Sequence, residues 1–182
     1  MKKEIEARLL ECDFNSFIVK LKECNAEFVG DFLQIRKCFD FTPVRENSWI
    51  RLRTTGKETT LTIKEIVDSG VSGTNETEIV VSDFATTEEI LNKLGYIART
   101  TQENRRVRYM LDNVEIDIDF WPFIPTYVEF EAETEQEIVN VCSKLGIDYK
   151  SLVTMDVTSI YNHYGINLDN YPTLVLENER KA

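Results

Sequence analysis

The chain has one histidine, His163, and four cysteines, Cys12, Cys24, Cys38 and Cys142, none at CxxC spacing. That pattern argues against zinc clusters and disulfides and fits reduced, mostly buried thiols. With a single imidazole and no GxSxG segment, the common nucleophilic triads lack their parts, and His163 is read as part of a C-terminal helical turn. No apolar run is long enough to span a bilayer. The opening MKKEIEARLL is charged where a signal peptide needs its apolar centre, so a cytoplasmic protein is expected, with no membrane partner. Basic residues number 21 against 32 acidic, a net charge of -11. Such a surface repels nucleic acid as a main partner.

What the sequence does have is alternation with a period of two, the mark of strands with one apolar and one polar face. It recurs in about eight segments: 3–9, 32–41, 48–53, 59–66, 75–81, 105–111, 114–119 and 126–132. Turns at Gly56-Lys57 and Asp112-Asn113 join two hairpins, the SGVSG loop precedes the fifth strand, and a Pro122–Pro125 loop precedes the eighth. Helices fill the gaps. One follows Asp13 with Phe14, Phe17, Ile18 and Leu21 at helical spacing. Two follow capping-box pairs, Thr86 with Glu89 and Thr134 with Glu137, ending at Gly95 and Gly146. A short helix is expected near 156–164. The fold class is α+β: an eight-stranded antiparallel β-barrel with helices outside. Residues 1–168 form one domain and 169–182 a peripheral tail.

Residues two apart share a face. The polar faces carry Glu4, Glu6 and Arg8; Arg51 and Arg53; Lys64; Glu76 and Glu78; Arg106 and Arg108; Glu115, Asp117 and Asp119; Glu129 and Glu131. An ordinary wet sheet also alternates charged and apolar residues, but it mixes them. Here RxR strands are sorted from ExE and ExDxD strands. If helices cover the apolar faces, the charged faces point into a lumen. Carboxylates suit hard cations such as Mg²⁺ or Mn²⁺, and Arg and Lys suit phosphate oxygens. A metal-bound polyphosphate uses both.

Here the residues resemble a known family. EIEAR is similar to the ExExK signature of the CYTH family of triphosphate tunnel metalloenzymes, with Arg8 in place of its lysine. WIRLR, LTIKE and ENRRVRY follow in the order of that family's basic strands, and DIDFWPFIPTYVEFEAE resembles its acidic C-terminal strands. The resemblance covers residues 3 to about 164. It implies a tunnel open at both ends, with Glu4, Glu6, Glu129 and Glu131 holding Mg²⁺ or Mn²⁺ and Asp119 nearby. It implies that Arg8, Arg51, Arg53, Lys64, Arg106 and Arg108 bind phosphates. Arg8 keeps a lysine's charge but cannot act as a base, and Asn104 stands where relatives often carry another lysine. Glu76 or Glu78 would orient an attacking water, which with Arg8 completes the expected catalytic set.

Three functions are open at this point. One is hydrolysis of inorganic, thiamine or nucleoside triphosphate. Another is class IV adenylyl cyclase chemistry on ATP. The third is a non-catalytic barrel that senses polyphosphate or nucleotide. Trp49, Trp121, Phe123 and Tyr127 are candidates to stack a base. The resemblance also makes a homodimer reasonable.

Overall fold

The computed structural model describes residues 2–66 and 74–176; the side chains of residues 2–4 and 74, and the SGVSG loop, lie outside the described set. Eight strands form the wall: β1 (Lys2–Leu9), β2 (Glu27–Asp40), β3 (Ser48–Thr54), β4 (Thr59–Ile66), β5 (Thr74–Val81), β6 (Ala98–Leu111), β7 (Val114–Phe120) and β8 (Tyr127–Ala132). Their order is β2-β3-β4-β5-β1-β8-β7-β6, and β6 pairs again with β2, so every strand has two neighbours and the sheet closes on itself. Closure removes the free edges that an open sheet would expose. All eight contacts in the ring are antiparallel. The β1–β5 seam is the shortest, with three paired positions, Lys2–Glu76, Lys3–Asn75 and Glu4–Thr74.

Alternation then decides what goes where. Outward side chains of β6, β7 and β8, among them Val107, Ile116, Ile118, Val128 and Phe130, are buried under two helices. These are α1 (Phe14–Glu23), through Phe17 and Leu21, and α3 (Glu135–Leu145), through Ile138, Val141 and Leu145. On the other side α2 (Phe84–Lys93) sets Leu91 against Phe39, Phe41, Ile50 and Leu52. Burial of this kind stabilises by roughly 25 cal/mol per Å² of apolar surface. With these three helices outside, the polar faces have only the interior left.

Two strands extend beyond their alternating segments. β2 begins at Glu27 rather than 32, and β6 at Ala98 rather than 105, because the two pair with each other from Glu27–Met110 to Phe39–Ala98. The polar stretch TTQEN in β6 shows no hydrophobic alternation because its inward positions include Thr100 and Asn104, both buried. The cap of α2 also differs from expectation. Asp83 is the N-cap and accepts from the Thr86 backbone N–H at 2.6 Å, which puts Thr86 inside the first turn. The box at Thr134 and Glu137 forms as the sequence predicts, and Gly146 closes α3 at φ 66°.

The fourth helix, α4 (Val157–His163), does not join the outer layer. Ile160 and Tyr161 pack with Trp121, Tyr127, Leu168 and Leu174 at one end of the barrel. Val153, just ahead of it, exchanges two 2.8 Å backbone hydrogen bonds with Arg8 of β1. Within the segment expected as a tail, a short ninth strand β9 (Thr173–Leu174) runs parallel to β6, and Leu174 is buried. No helix of the described residues is long and apolar enough to cross a membrane.

Candidate active site

The interior holds two connected cavities along the barrel, of about 520 and 470 Å³. Both are bordered by Glu6, Arg8, Arg36, Arg51, Lys64 and Val157, which mark where they meet. The first is lined almost wholly by charged groups, and Arg53, Glu78, Arg108, Glu115 and Glu131 border it and not the second. The second adds Trp49, Gln102, Trp121 and the start of α4. The sorted polar faces therefore converge on one enclosed space, as strand phase predicts.

Side chains directly opposite each other on paired strands share a face. Around one wall, Glu6 stands opposite Glu131, and Glu131 opposite Glu115. Three carboxylates thus stand on three adjacent strands, and two of them are shifted. Burial, then Asp117, with Glu131 adding to them, pushes the Glu115 carboxyl up to about 7, although Arg108 pairs with it at 2.7 Å. Burial also raises Glu6, with Glu129 adding to it and Arg8 opposing it. Carboxylate oxygens gathered in this way suit a hard divalent cation. Glu4 lies opposite Thr74 in the register, two residues from Glu6 and in the same strand phase. Among the described residues no three such groups already converge on a single point.

A second set of carboxylates is already neutralised. Arg106 donates from Nε to Asp119 Oδ1 at 2.8 Å, from Nη2 to Asp119 Oδ2 at 2.6 Å and from Nη1 to Asp117 Oδ2 at 2.6 Å. Its Nη2 also reaches Glu129 Oε1 at 3.2 Å. Asp117 in turn accepts two bonds from Arg108, at 2.8 and 2.7 Å. Burial disfavours the Arg106 cation, yet Asp117, Asp119 and Glu129 raise it well above its ordinary value. Asp119, expected near the metal, is fully buried and borders neither cavity.

Arg8 is similarly engaged. Its Nε donates to Glu129 at 2.8 Å, Nη2 to Glu6 at 2.9 Å and Nη1 to the Met155 carbonyl at 2.7 Å. Burial opposes ionisation of Glu129, but Arg8 and Arg106 hold it below the usual carboxylate range. Arg8 thus ties β1 to β8 and to the chain entering α4.

The opposite wall, β2 to β5, is short of negative charge. Arg53 has Glu78 at 3.9 Å, and Arg51 reaches Glu76 and Glu78 at 3.5 and 3.4 Å. Lys64 pairs with Glu76, and Glu78 accepts from the Thr62 hydroxyl at 2.5 Å. Arg51, then burial, lowers Arg53 to about 9. The sequence reading missed Arg36 on β2, which borders both cavities. Its signal was the alternation of Gln34, Arg36, Cys38 and Asp40, obscured because Lys37 beside it puts a base in either phase. Of the aromatic candidates, Trp49 and Trp121 border the second cavity, Tyr127 is buried among the packing at the barrel end, and Phe123 is exposed beside Tyr171.

No curated protein sequence matches the chain. Among solved structures, a conserved hypothetical protein from Pyrococcus furiosus superposes with a TM-score of 0.73 at 24% identity, covering 86% of this chain and 99% of its own. A "putative adenylate cyclase" from Vibrio parahaemolyticus reaches 0.73 at 12% identity, covering 88% and 98%. A Hippeastrum "putative adenylyl cyclase" described as having a dominant triphosphatase activity reaches 0.58 at 15%, covering 97% and 98%. At these identities the likeness is one of fold. The CYTH domain family model matches residues 2–145, most of the barrel and its charged interior, and the chain belongs to that family.

Proposed function

We propose that this protein is a divalent-metal-dependent triphosphatase, acting on inorganic triphosphate, thiamine triphosphate or a nucleoside triphosphate inside its barrel. The observation behind this reading is the division of one enclosed space into two unlike walls. Arg36, Arg51 and Arg53 crowd positive charge on β2 and β3, while Glu6, Glu115 and Glu131 crowd negative charge on β1, β7 and β8. A triphosphate with its cation complements both walls at once, and neither a neutral ligand nor a bare anion does so. The relatives whose names mention cyclase or triphosphatase activity are consistent with it.

The chain's residues then divide the work. Arg51, Arg53 and Lys64 hold phosphate oxygens, with Arg108 also lining the first cavity. Glu6 and Glu131, with Glu4 and Glu115 on the same wall, suit Mg²⁺ or Mn²⁺. When bound, that ion supplies charge neutralisation at the phosphates and acidifies coordinated water. Glu78, exposed to the cavity and braced by Thr62, accepts a hydrogen bond from the attacking water and aligns it with the terminal phosphorus. Glu76 fixes Lys64. Water adds to the terminal phosphorus and its proton passes to an oxygen of the released phosphate, while the terminal bridging P–O bond breaks and its electron pair leaves on the diphosphate side against the arginines. We assign Asp119 to positioning Arg106 rather than holding the ion, and Arg8 to bracing Glu6, Glu129 and the start of α4.

A test incubates the purified protein with triphosphate, thiamine triphosphate, ATP and GTP, each with Mg²⁺ or Mn²⁺, measuring phosphate and cyclic AMP. Phosphate release that stops on chelation is expected. Cyclic AMP as the main product of ATP replaces hydrolase with cyclase, and tight binding without turnover makes the barrel a sensor.

A further inference from the structure

Arg36 is 7% exposed, yet no carboxylate pairs with it among the described residues. Its Nη2 donates to two neutral oxygens, Gln34 Oε1 at 2.7 Å and Asn104 Oδ1 at 2.5 Å, and its Nε is buried with no hydrogen-bond partner. The guanidinium lies over the Trp121 ring at 4.6 Å from the centroid. Directly across the strand pair stands another arginine, Arg53. Like charges in that relation destabilise a sheet, and a buried guanidinium without a counter-ion is expensive. Burial, followed by Arg51 and Arg106, lowers Arg36 to about 10, with Asp119, which it does not touch, only partly opposing them. Asn104 cannot neutralise it. Asn104 instead donates its amide to Asp119 at 3.0 Å, which fixes the carbonyl toward Arg36. The fold therefore spends contacts on holding and aiming a cation it does not neutralise.

We propose that Arg36 is a phosphate-binding residue placed where the two cavities meet, with Asn104 and Trp121 as the groups that position it. It deepens the triphosphatase reading and rests on it. Arg36 supplies the counter-charge for a phosphoryl group at the junction, has no contact with Glu78 among the described residues, and so sets affinity and the kind of chain accepted more than the rate of bond breaking. Asn104 puts an amide on the inner face of β6, and Arg36 on the adjoining strand sets its charge against that amide.

The experiment compares wild type with Arg36→Gln and Arg36→Lys, using inorganic tripolyphosphate as probe. Metal-free binding by calorimetry should weaken in Arg36→Gln by about tenfold or more, the loss of a charge-assisted contact. In turnover, KM should rise by a similar factor while kcat stays within about threefold. Arg36→Lys should fall between, since lysine keeps the charge but not the fork or the stacking. A Trp49→Phe background leaves Trp121 as the only tryptophan, and its emission should shift on adding tripolyphosphate, the shift being absent in Arg36→Gln. Without anion, Arg36→Gln should melt no lower than wild type, whereas a structural Arg36 predicts a loss of stability. If Arg36→Gln melts well below wild type in the absence of anion and binds as tightly, the inference is wrong while the triphosphatase reading stands. If wild type binds no tripolyphosphate and turns over no triphosphate, both fall.

Discussion

Glu129 and Glu131 lie two residues apart on one strand face, yet their surroundings assign them opposite work. Glu129 is clasped by Arg8 and Arg106 deep in the barrel, while Glu131 faces Glu6 and Glu115 across the strand pairs. Removing Glu129 takes one buried carboxylate from each of Arg8 and Arg106, which keep Glu6, Asp117 and Asp119, a loss of about 1.5–3 kcal/mol. Glu129→Ala is therefore expected to unfold in appreciably less denaturant. Glu131→Gln should shift the midpoint less and lose metal-dependent turnover by about 100-fold or more. Equal midpoints for the two variants would refute the division. The ExE spacing was legible in the sequence as a polar face; the clasp on Glu129 depended on Arg8 and Arg106 arriving from strands distant in the chain. Glu115 offers a test by pH. Its folded value is raised from 4.5 to about 7, so the folded state keeps a proton that the unfolded chain releases. Its contribution is nil below 4.5 and a growing penalty as pH rises to about 7, reaching at most about 3 kcal/mol. Metal-free protein should lose stability across that window, and Glu115→Gln should lose less. Parallel profiles for the two would remove Glu115 as the cause.

At the scale of elements, most strands were legible because each has an apolar side that the helices cover. The hairpin β3–β4 and the strands β7 and β8 begin and end within a residue of their alternating segments. β2 and β6 were only half legible, since what extends them is their ladder with each other, a contact between residues some 70 positions apart. No local pattern reports such a partner. α4 fell where expected in sequence, but its docking over the end of the barrel depends on Trp121 and Tyr127, which join its packing from the β7–β8 region. The start of α2 is a case of two plausible caps, decided by Asp83 reaching the Thr86 amide. Asp83→Ala should cost about 1 kcal/mol, while Thr86→Ala should cost less. Because α2 packs on the outer face of β3, the catalytic constants of Asp83→Ala should match wild type at temperatures where it is folded. A larger loss in Thr86→Ala would restore the cap to Thr86.

For the molecule as a whole, the closed wall explains why the charges can be so concentrated. An open sheet would let water and salt screen Arg36, Arg51 and Arg53, whereas inside the barrel they interact at low effective dielectric and remain available for an anion. Strand phase made that interior predictable from the sequence. The split into a neutralised layer and two charged walls was not, because it depends on which acid meets which base across the ring. A protein built this way is stabilised by the ligand that completes it. At a tripolyphosphate concentration 100 times the dissociation constant, binding to the folded state adds about 2.7 kcal/mol. For a domain of this size each kcal/mol moves the melting temperature by about 2–4 °C, so a rise of about 5–11 °C is expected. Arg53→Ala removes a cation whose one carboxylate contact among the described residues is at 3.9 Å, so the free protein should melt near wild type while the ligand-induced rise shrinks at a fixed tripolyphosphate concentration. Were Arg53→Ala to lower the melting temperature of the free protein and leave the increment intact, the arginines of this wall would be holding the barrel together rather than waiting for phosphate.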